Sequence, residues 1–102
     1  MIKKKEFIEL IEDRIDQQKR IEKLCDILEL PIWSSNIFYY QNILFDQLIN
    51  IYFTEEGVDW IKWYIFEKYY HPDLEAYDEN DKEITVETIE DLWKLIKQYR
   101  KC

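Results

Sequence analysis

Residues 58 to 70, with the sequence VDWIKWYIFEKYY, constrain the fold more than any other stretch, because nine of the thirteen side chains are apolar or aromatic. The four charged residues do not alternate with period two, which disfavours a β-strand. In a helix, the apolar side chains would point to almost every side, and such a helix is normally buried by several neighbours. The stretch therefore predicts a central helix around which the rest of the chain packs.

The ends of this central helix are also marked in the sequence. Thr54 is the predicted N-cap, and Glu55 and Glu56 place negative charge in the first turn, where it favours the helix dipole. Pro72 disfavours helical geometry at the residue before it and so predicts the end of the helix. The whole chain has one Gly and two Pro. That is too few for a turn-rich sandwich or barrel and favours helices throughout.

Residues 3 to 30 predict a long first helix with one apolar stripe. The stripe consists of Phe7, Ile11, Ile21, Cys25 and Leu28. Arg14 and Gln18 interrupt its heptad-like spacing. An amphipathic helix on the domain core explains this pattern. Self-association of two copies through residues 3 to 30 is the alternative, although the stripe is shorter than the roughly three to four heptads typical of a coiled coil.

Two more helices are predicted on either side of the central one. Residues 37 to 53 have a broad apolar face, which needs only a core to explain it. That face is formed by Ile37, Tyr40, Leu44, Phe45, Leu48, Ile51 and Tyr52. Thr88 and Asp91 match a variant of the capping box, so a last helix should begin after Thr88. We expect one mainly α domain, residues 1 to 102, with four helices and a short irregular or hairpin-like acidic excursion before the last helix.

The acidic excursion, residues 71 to 86, has the strongest charge imbalance in the chain. Between Asp73 and Glu83 there are six carboxylates and one lysine, a local net charge of −5. Such a run either is a solvated face that keeps an aromatic-rich protein soluble, or is a recognition surface with a charge density comparable to that of DNA. Neighbouring aromatic side chains would then anchor the partner. The predicted partner-binding residues are Asp73, Glu75, Asp78, Glu79, Asp81, Glu83, Tyr70, Tyr77 and Trp33.

The residue types present give little support to an enzyme or a cofactor site. His71 is the only histidine, and Cys25 lies on an apolar helix face, where a thiol is unreactive. A zinc site needs three or four N or S ligands, and the three in this chain are far apart. We therefore predict no catalytic residue, no metal site and no cofactor. Weak cation binding by the acidic run, and a small enzyme built on two carboxylates, remain as alternatives.

The net charge of −8 disfavours direct binding to nucleic acid or to an anionic membrane and attracts cationic partners. No apolar run is long enough to span a membrane, and the basic N-terminus is not followed by the apolar segment of a secretory signal. Cys25 and Cys102 do not make a disulfide framework, and we expect reduced thiols in the cytoplasm. Trp33 lies in a predicted connection and either folds back onto the core or faces a partner.

Three motifs in the last two-thirds of the chain resemble a family of small acidic proteins encoded by bacteriophages and prophages. The matching residues are Asp59, Trp60, Ile61, Trp63, Tyr64, Ile65, Phe66 and Glu67, then Asp78, Asn80 and Ile84, then Thr88, Asp91, Leu92 and Trp93. In the turn this chain has Asp81 where many relatives have Gly. The resemblance implies no activity and no catalytic residues. It implies a phage context, in which small acidic proteins are often inhibitors of host nucleases or defence systems.

These features favour a non-enzymatic acidic protein of phage type that binds a host protein with a basic surface. It would act as a nucleic-acid mimic, in the manner of an anti-CRISPR protein, and block a nucleic-acid-binding surface, for instance that of a defence effector, in the host cytoplasm. The alternative is a structural or assembly module that forms a homodimer through residues 3 to 30.

Overall fold

The computed structural model describes residues 1–31, 36–78 and 83–101. Over these residues the chain forms helices α1 (Lys4–Ile27), α2 (Asn36–Tyr52), α3 (Glu55–Trp63) and α4 (Ile89–Ile96), with strands β1 (Ala76–Tyr77) and β2 (Glu83–Ile84) between α3 and α4. The two strands pair antiparallel. The predicted mainly α fold, with a small hairpin before the last helix, is confirmed.

The central helix begins at Glu55, directly after Thr54 as predicted, and α3 is followed by one turn of π-helix at Tyr64–Lys68. The N–H of Tyr69 donates to the carbonyl of Tyr64, five residues earlier, at 2.7 Å. Beyond this turn, the ammonium of Lys68 donates to the carbonyls of Pro72 (2.7 Å) and Leu74 (2.9 Å), which holds the chain as it leaves the helix. The helical path therefore ends just before Pro72, as its sequence position predicts.

Helix α1 lies on the core with the predicted stripe inward, and Arg14 and Gln18 are buried within that stripe instead of interrupting it. Phe7 is fully buried at its centre, where its ring lies 5.7 Å from that of Phe53 and 5.3 Å from that of Trp93. Leu28, which was predicted to lie on the stripe, is exposed, as are Leu24 and Ile27 in the last turn of α1. The inward face of α1 is thus occupied by the chain's own core.

The predicted buried face of α2 is only partly right: Phe45 is buried and Tyr52 is half-buried, as predicted, but the other described members of that face are not. The side chains of Phe45 and Ile49 point into the core, followed by that of Phe53 just after the helix. The outward side carries Tyr40, Leu44, Leu48 and Ile51, all of which are exposed. Because α2 has apolar residues around much of its circumference, its own periodicity does not decide which side meets α1 and α3.

Helix α4 begins with the predicted capping box. The N–H of Asp91 donates to Oγ1 of Thr88 at 3.1 Å, and the N–H groups of Glu87 and Thr88 donate to Oδ2 of Asp91 at 3.2 Å. These two backbone hydrogen bonds, from Glu87 and Thr88, lower the pKa of Asp91 below its usual value. By contrast, the hydroxyl of Thr54 makes no capping hydrogen bond at the start of α3.

Thr88→Ala is therefore expected to lower the free energy of unfolding by about 1 kcal/mol, because the N–H of Asp91 loses its acceptor. Thr54→Ala is the matched control and should change the free energy of unfolding much less.

The contribution of Asp91 to stability should depend on pH. Since the folded state lowers the pKa of Asp91, the stabilising effect of its carboxylate is present above the unfolded-state pKa and is lost as the pH falls through the folded-state value. Urea denaturation at neutral pH and at about pH 3 should show this loss, and Asp91→Asn should reduce it. Equal losses at Thr54 and Thr88 would contradict the assignment.

Candidate functional site

In the described parts of the acidic excursion, residues 71–78 and 83–86, two short strands pair to form the hairpin, and each part has a buried residue. Ala76 pairs with Ile84 and Tyr77 pairs with Glu83. Ala76 and, just beyond the second strand, Val86 are buried, whereas Tyr77 and Glu83 point outward. The alternation therefore places an aromatic ring and a carboxylate side by side on the outer surface of the hairpin.

The predicted partner-binding residues divide into three groups. Asp73, Glu75 and Glu83 are exposed together with Tyr77, and Asp78 is half-buried. Trp33, Glu79 and Asp81 lie outside the described residues. Tyr70 lies near α1, not with the hairpin acids, and its hydroxyl is buried without a hydrogen-bond partner among the described residues. Burial, with a smaller effect of the negative charge of Glu22, raises the pKa of Tyr70 to about 12.

An open groove of about 680 Å³ lies between the hairpin, α3 and the C-terminal end of α4. It is lined by Glu56, Asp59, Trp60, Tyr77, Asp78, Ile84, Leu95, Gln98 and Tyr99. Two of its three carboxylates, those of Glu56 and Asp59, come from α3, where a spacing of three residues puts them on one side of the helix. We call this feature the acidic groove.

Glu56 and Asp59 were not predicted as partner-binding residues, because they lie outside the acidic run. Their spacing is visible in the sequence, but nothing there shows that α3 faces the hairpin. Trp60 on α3 and Tyr99 after α4 bring aromatic surface to the same groove. No pattern in the sequence indicated that these two side chains lie near the acidic run. Only the packing of α3 and α4 brings these residues to Tyr77 and Asp78.

The described lining of the acidic groove contains three carboxylates and no basic side chain. The ion pairs Lys4–Glu90 (3.5 Å) and Lys62–Asp46 (3.2 Å) lie outside the groove. The hydroxyl of Tyr77 donates to a carboxylate oxygen of Glu75, and this hydrogen bond, with the charge of Glu75, raises the pKa of Tyr77. The ring of Tyr77 therefore carries a neutral, oriented hydroxyl beside the carboxylates.

The described residues do not combine into a metal centre. Over 1–31, 36–78 and 83–101, no three His, Cys, Asp or Glu side chains are arranged to hold a metal ion. The acidic run, for which weak cation binding was the alternative, includes Glu79 and Asp81, which lie outside the described residues.

Among the described residues, none of the helices combines the length and the apolar composition that a membrane-spanning helix needs.

Comparison with known proteins adds no relative: no family model matches the chain, and neither a curated protein nor a solved structure is significantly similar to it. The resemblance to small phage proteins stays a prediction that rests on the motifs in the sequence. The acidic groove is therefore interpreted from its own chemistry.

Proposed function

We propose that this is a non-enzymatic binding protein whose acidic groove accepts a cationic segment of a partner protein. The observation that carries the proposal is the combination in one groove of the carboxylates of Glu56, Asp59 and Asp78 with aromatic side chains. In the phage context that the motifs suggest, the partner is a host protein with a basic surface, such as a defence effector, in the host cytoplasm. Occupying that surface would prevent it from binding nucleic acid.

The chemistry of the groove suits arginine and lysine side chains. Carboxylates accept charge-assisted hydrogen bonds from a guanidinium or an ammonium group, and those bonds are stronger than neutral ones. The rings of Trp60 and Tyr77 can receive the same cations on their faces, with Trp the best ring for this contact. The net charge of −8 would draw a basic surface in from a distance and speed association at low salt.

A labelled oligoarginine peptide is the simplest probe of the groove. We expect fluorescence anisotropy to show binding that weakens as salt is raised, because screening reduces contacts between exposed charges. The double variant Glu56→Gln with Asp59→Asn should bind the peptide about three- to tenfold more weakly at low salt. The variant Tyr77→Ala should also bind it more weakly, since a cation-accepting ring is lost.

The matched control removes the same number of charges elsewhere. Glu9→Gln with Glu12→Gln changes two exposed carboxylates on α1 and leaves the groove intact. If both double variants weaken binding equally, only net charge matters and the groove assignment is wrong. Binding that is indifferent to salt would also count against it.

The blocking step has its own test in cells that express the protein. Host proteins that co-purify with the wild type should be lost with the Glu56→Gln, Asp59→Asn variant and kept with the α1 control. A purified partner should then bind labelled duplex DNA less well when the protein is added. Unchanged DNA binding by a partner that depends on the groove would refute the blocking mechanism.

A further inference from the structure

We propose that a second copy of this chain docks on the exposed apolar face of α2, forming a two-fold symmetric dimer. This face consists of Tyr40, Leu44, Leu48 and Ile51, which are 62%, 55%, 42% and 63% exposed. The four residues follow one another at intervals of four, four and three, so they form one ridge roughly 16 Å long. The dimer is independent of the acidic groove, which lies between α3, α4 and the hairpin.

The surface beside this ridge has the shape that a second ridge needs. A groove of about 310 Å³ runs between α1 and α2, with Leu10 of α1 on one side and the ridge residues Leu44, Leu48 and Ile51 on the other. Ridges that pack into grooves are the usual way in which two helices meet. In a two-fold interface, each copy offers both the ridge and the groove, so the two copies fit each other by the same contacts.

The low net charge of this face favours its contact with a second copy. Two copies that each carry −8 repel one another, so they can approach only where the local charge is small. Across its 17 residues α2 has one charged side chain, that of Asp46, and Lys62 pairs with it at 3.2 Å. The polar residues that line the groove are the neutral Gln17, Gln41 and Gln47, with one charge of each sign from Asp13 and Arg14. Depletion of charge is the compositional mark of an interface core.

The apolar area of this face is large for a monomer and approaches that of a standard interface. Four large side chains that are each about half exposed present on the order of 500 Å² of apolar surface, near the upper end for a monomer. The groove walls and the flanking glutamines bring the surface towards the roughly 800 Å² per partner of a standard interface.

The inward stripe of α1, which was the predicted contact for a dimer through residues 3 to 30, packs on the chain's own core. We therefore place the interface on α2 and the outer edge of α1.

Sedimentation velocity from low to high micromolar concentration tests the dimer. The wild type should shift from 12.8 kDa towards twice that mass as concentration rises. Leu48→Asp should raise the dissociation constant of the dimer by about a hundredfold or more, because symmetry buries two carboxylates against apolar side chains. Leu74→Asp is the matched control, since Leu74 is similarly exposed (39%) but lies in the loop before the hairpin.

Both aspartate variants should keep the circular dichroism of the wild type, because both sites are on the surface. Leu48→Asp should also bind the oligoarginine peptide as tightly per chain as the wild type does, which separates this proposal from the function of the groove. A wild type that stays a monomer at every concentration would overturn the proposal. So would a dimer that survives Leu48→Asp, since the contact would then lie elsewhere.

Discussion

Gly57→Ala is expected to lower the free energy of unfolding by about 1–3 kcal/mol, although the same change in an ordinary helix raises it. A Cβ on Gly57 would lie 2.9 Å from Cβ of Tyr99 and 3.2 Å from Cβ of Phe53. Both neighbouring atoms are attached directly to the backbone, so they cannot move aside by a change of rotamer. The substitution must push apart the start of α3, the end of α2 and the C-terminal segment.

The contact at Gly57 matters because it lies where the C-terminal segment closes onto the domain. The N–H of Thr54 donates to the carbonyl of Tyr99, and the N–H of Lys101 donates to that of Tyr52, both at 2.8 Å. Phe53, between these two hydrogen bonds, is fully buried in the core. A displaced Tyr99 would strain the bond to Thr54 and loosen the packing of Phe53, so the loss should exceed that at the cap of α4.

Urea denaturation of wild type and Gly57→Ala measures this effect. Lys23→Ala is the control, because Lys23 is exposed near the C-terminal end of α1 and its change should stay within about 0.5 kcal/mol. If Gly57→Ala proves as stable as the wild type or more so, helix propensity outweighs the contact and the close approach is wrong.

Arg14→Met is expected to raise the free energy of unfolding by about 1–4 kcal/mol, since it replaces a buried charge that forms no ion pair with a carboxylate among the described residues. Arg14 is 2% exposed. Its Nη2 donates to Oδ1 of Asn42 at 2.8 Å, but Nε and Nη1 have no hydrogen-bond partner among the described residues. Desolvation lowers the pKa of Arg14, yet a guanidinium remains charged in proteins.

Two aromatic rings and the negative charge of Asp46 oppose this cost. The guanidinium carbon of Arg14 lies 5.7 Å from the ring centre of Phe45 and 5.3 Å from that of Phe66. Cation–π contacts contribute roughly 0.5–2 kcal/mol each, while removing an ion from water costs several kcal/mol. A methionine side chain can fill the same space between the two rings and makes favourable sulfur–aromatic contacts.

In thermal and urea unfolding, Arg14→Met should have a higher melting temperature and a higher free energy of unfolding than the wild type. Arg20→Met is the control. Arg20 lies on the same helix but is exposed, so its replacement should change stability little. A marked loss of stability in Arg14→Met would show that the ring contacts and the bond to Asn42 outweigh the desolvation of the charge, and would contradict the prediction.

Interactions between residues that are close in sequence were enough to predict several features of this fold. The apolar run after Thr54 predicted a buried central helix, Thr88 and Asp91 predicted the start of α4, and the polar run before Thr88 predicted a small hairpin. Each of these depends on residues close together in sequence, whose side chains act on the backbone nearby. Four of the predicted acids, Asp73, Glu75, Asp78 and Glu83, also lie at or near that hairpin.

The tertiary structure alone decided which surfaces meet. Helix α2 is apolar around much of its circumference, so its buried side depended on where α1 and α3 lie, and Leu44 and Leu48 were left outside. The acidic groove joins Glu56 and Asp59 to Tyr77 across a gap in sequence that no local pattern spans. The sequence by itself determined the helices and the charge of this protein; only their packing, which depends on contacts between distant residues, decided which side chains share the acidic groove.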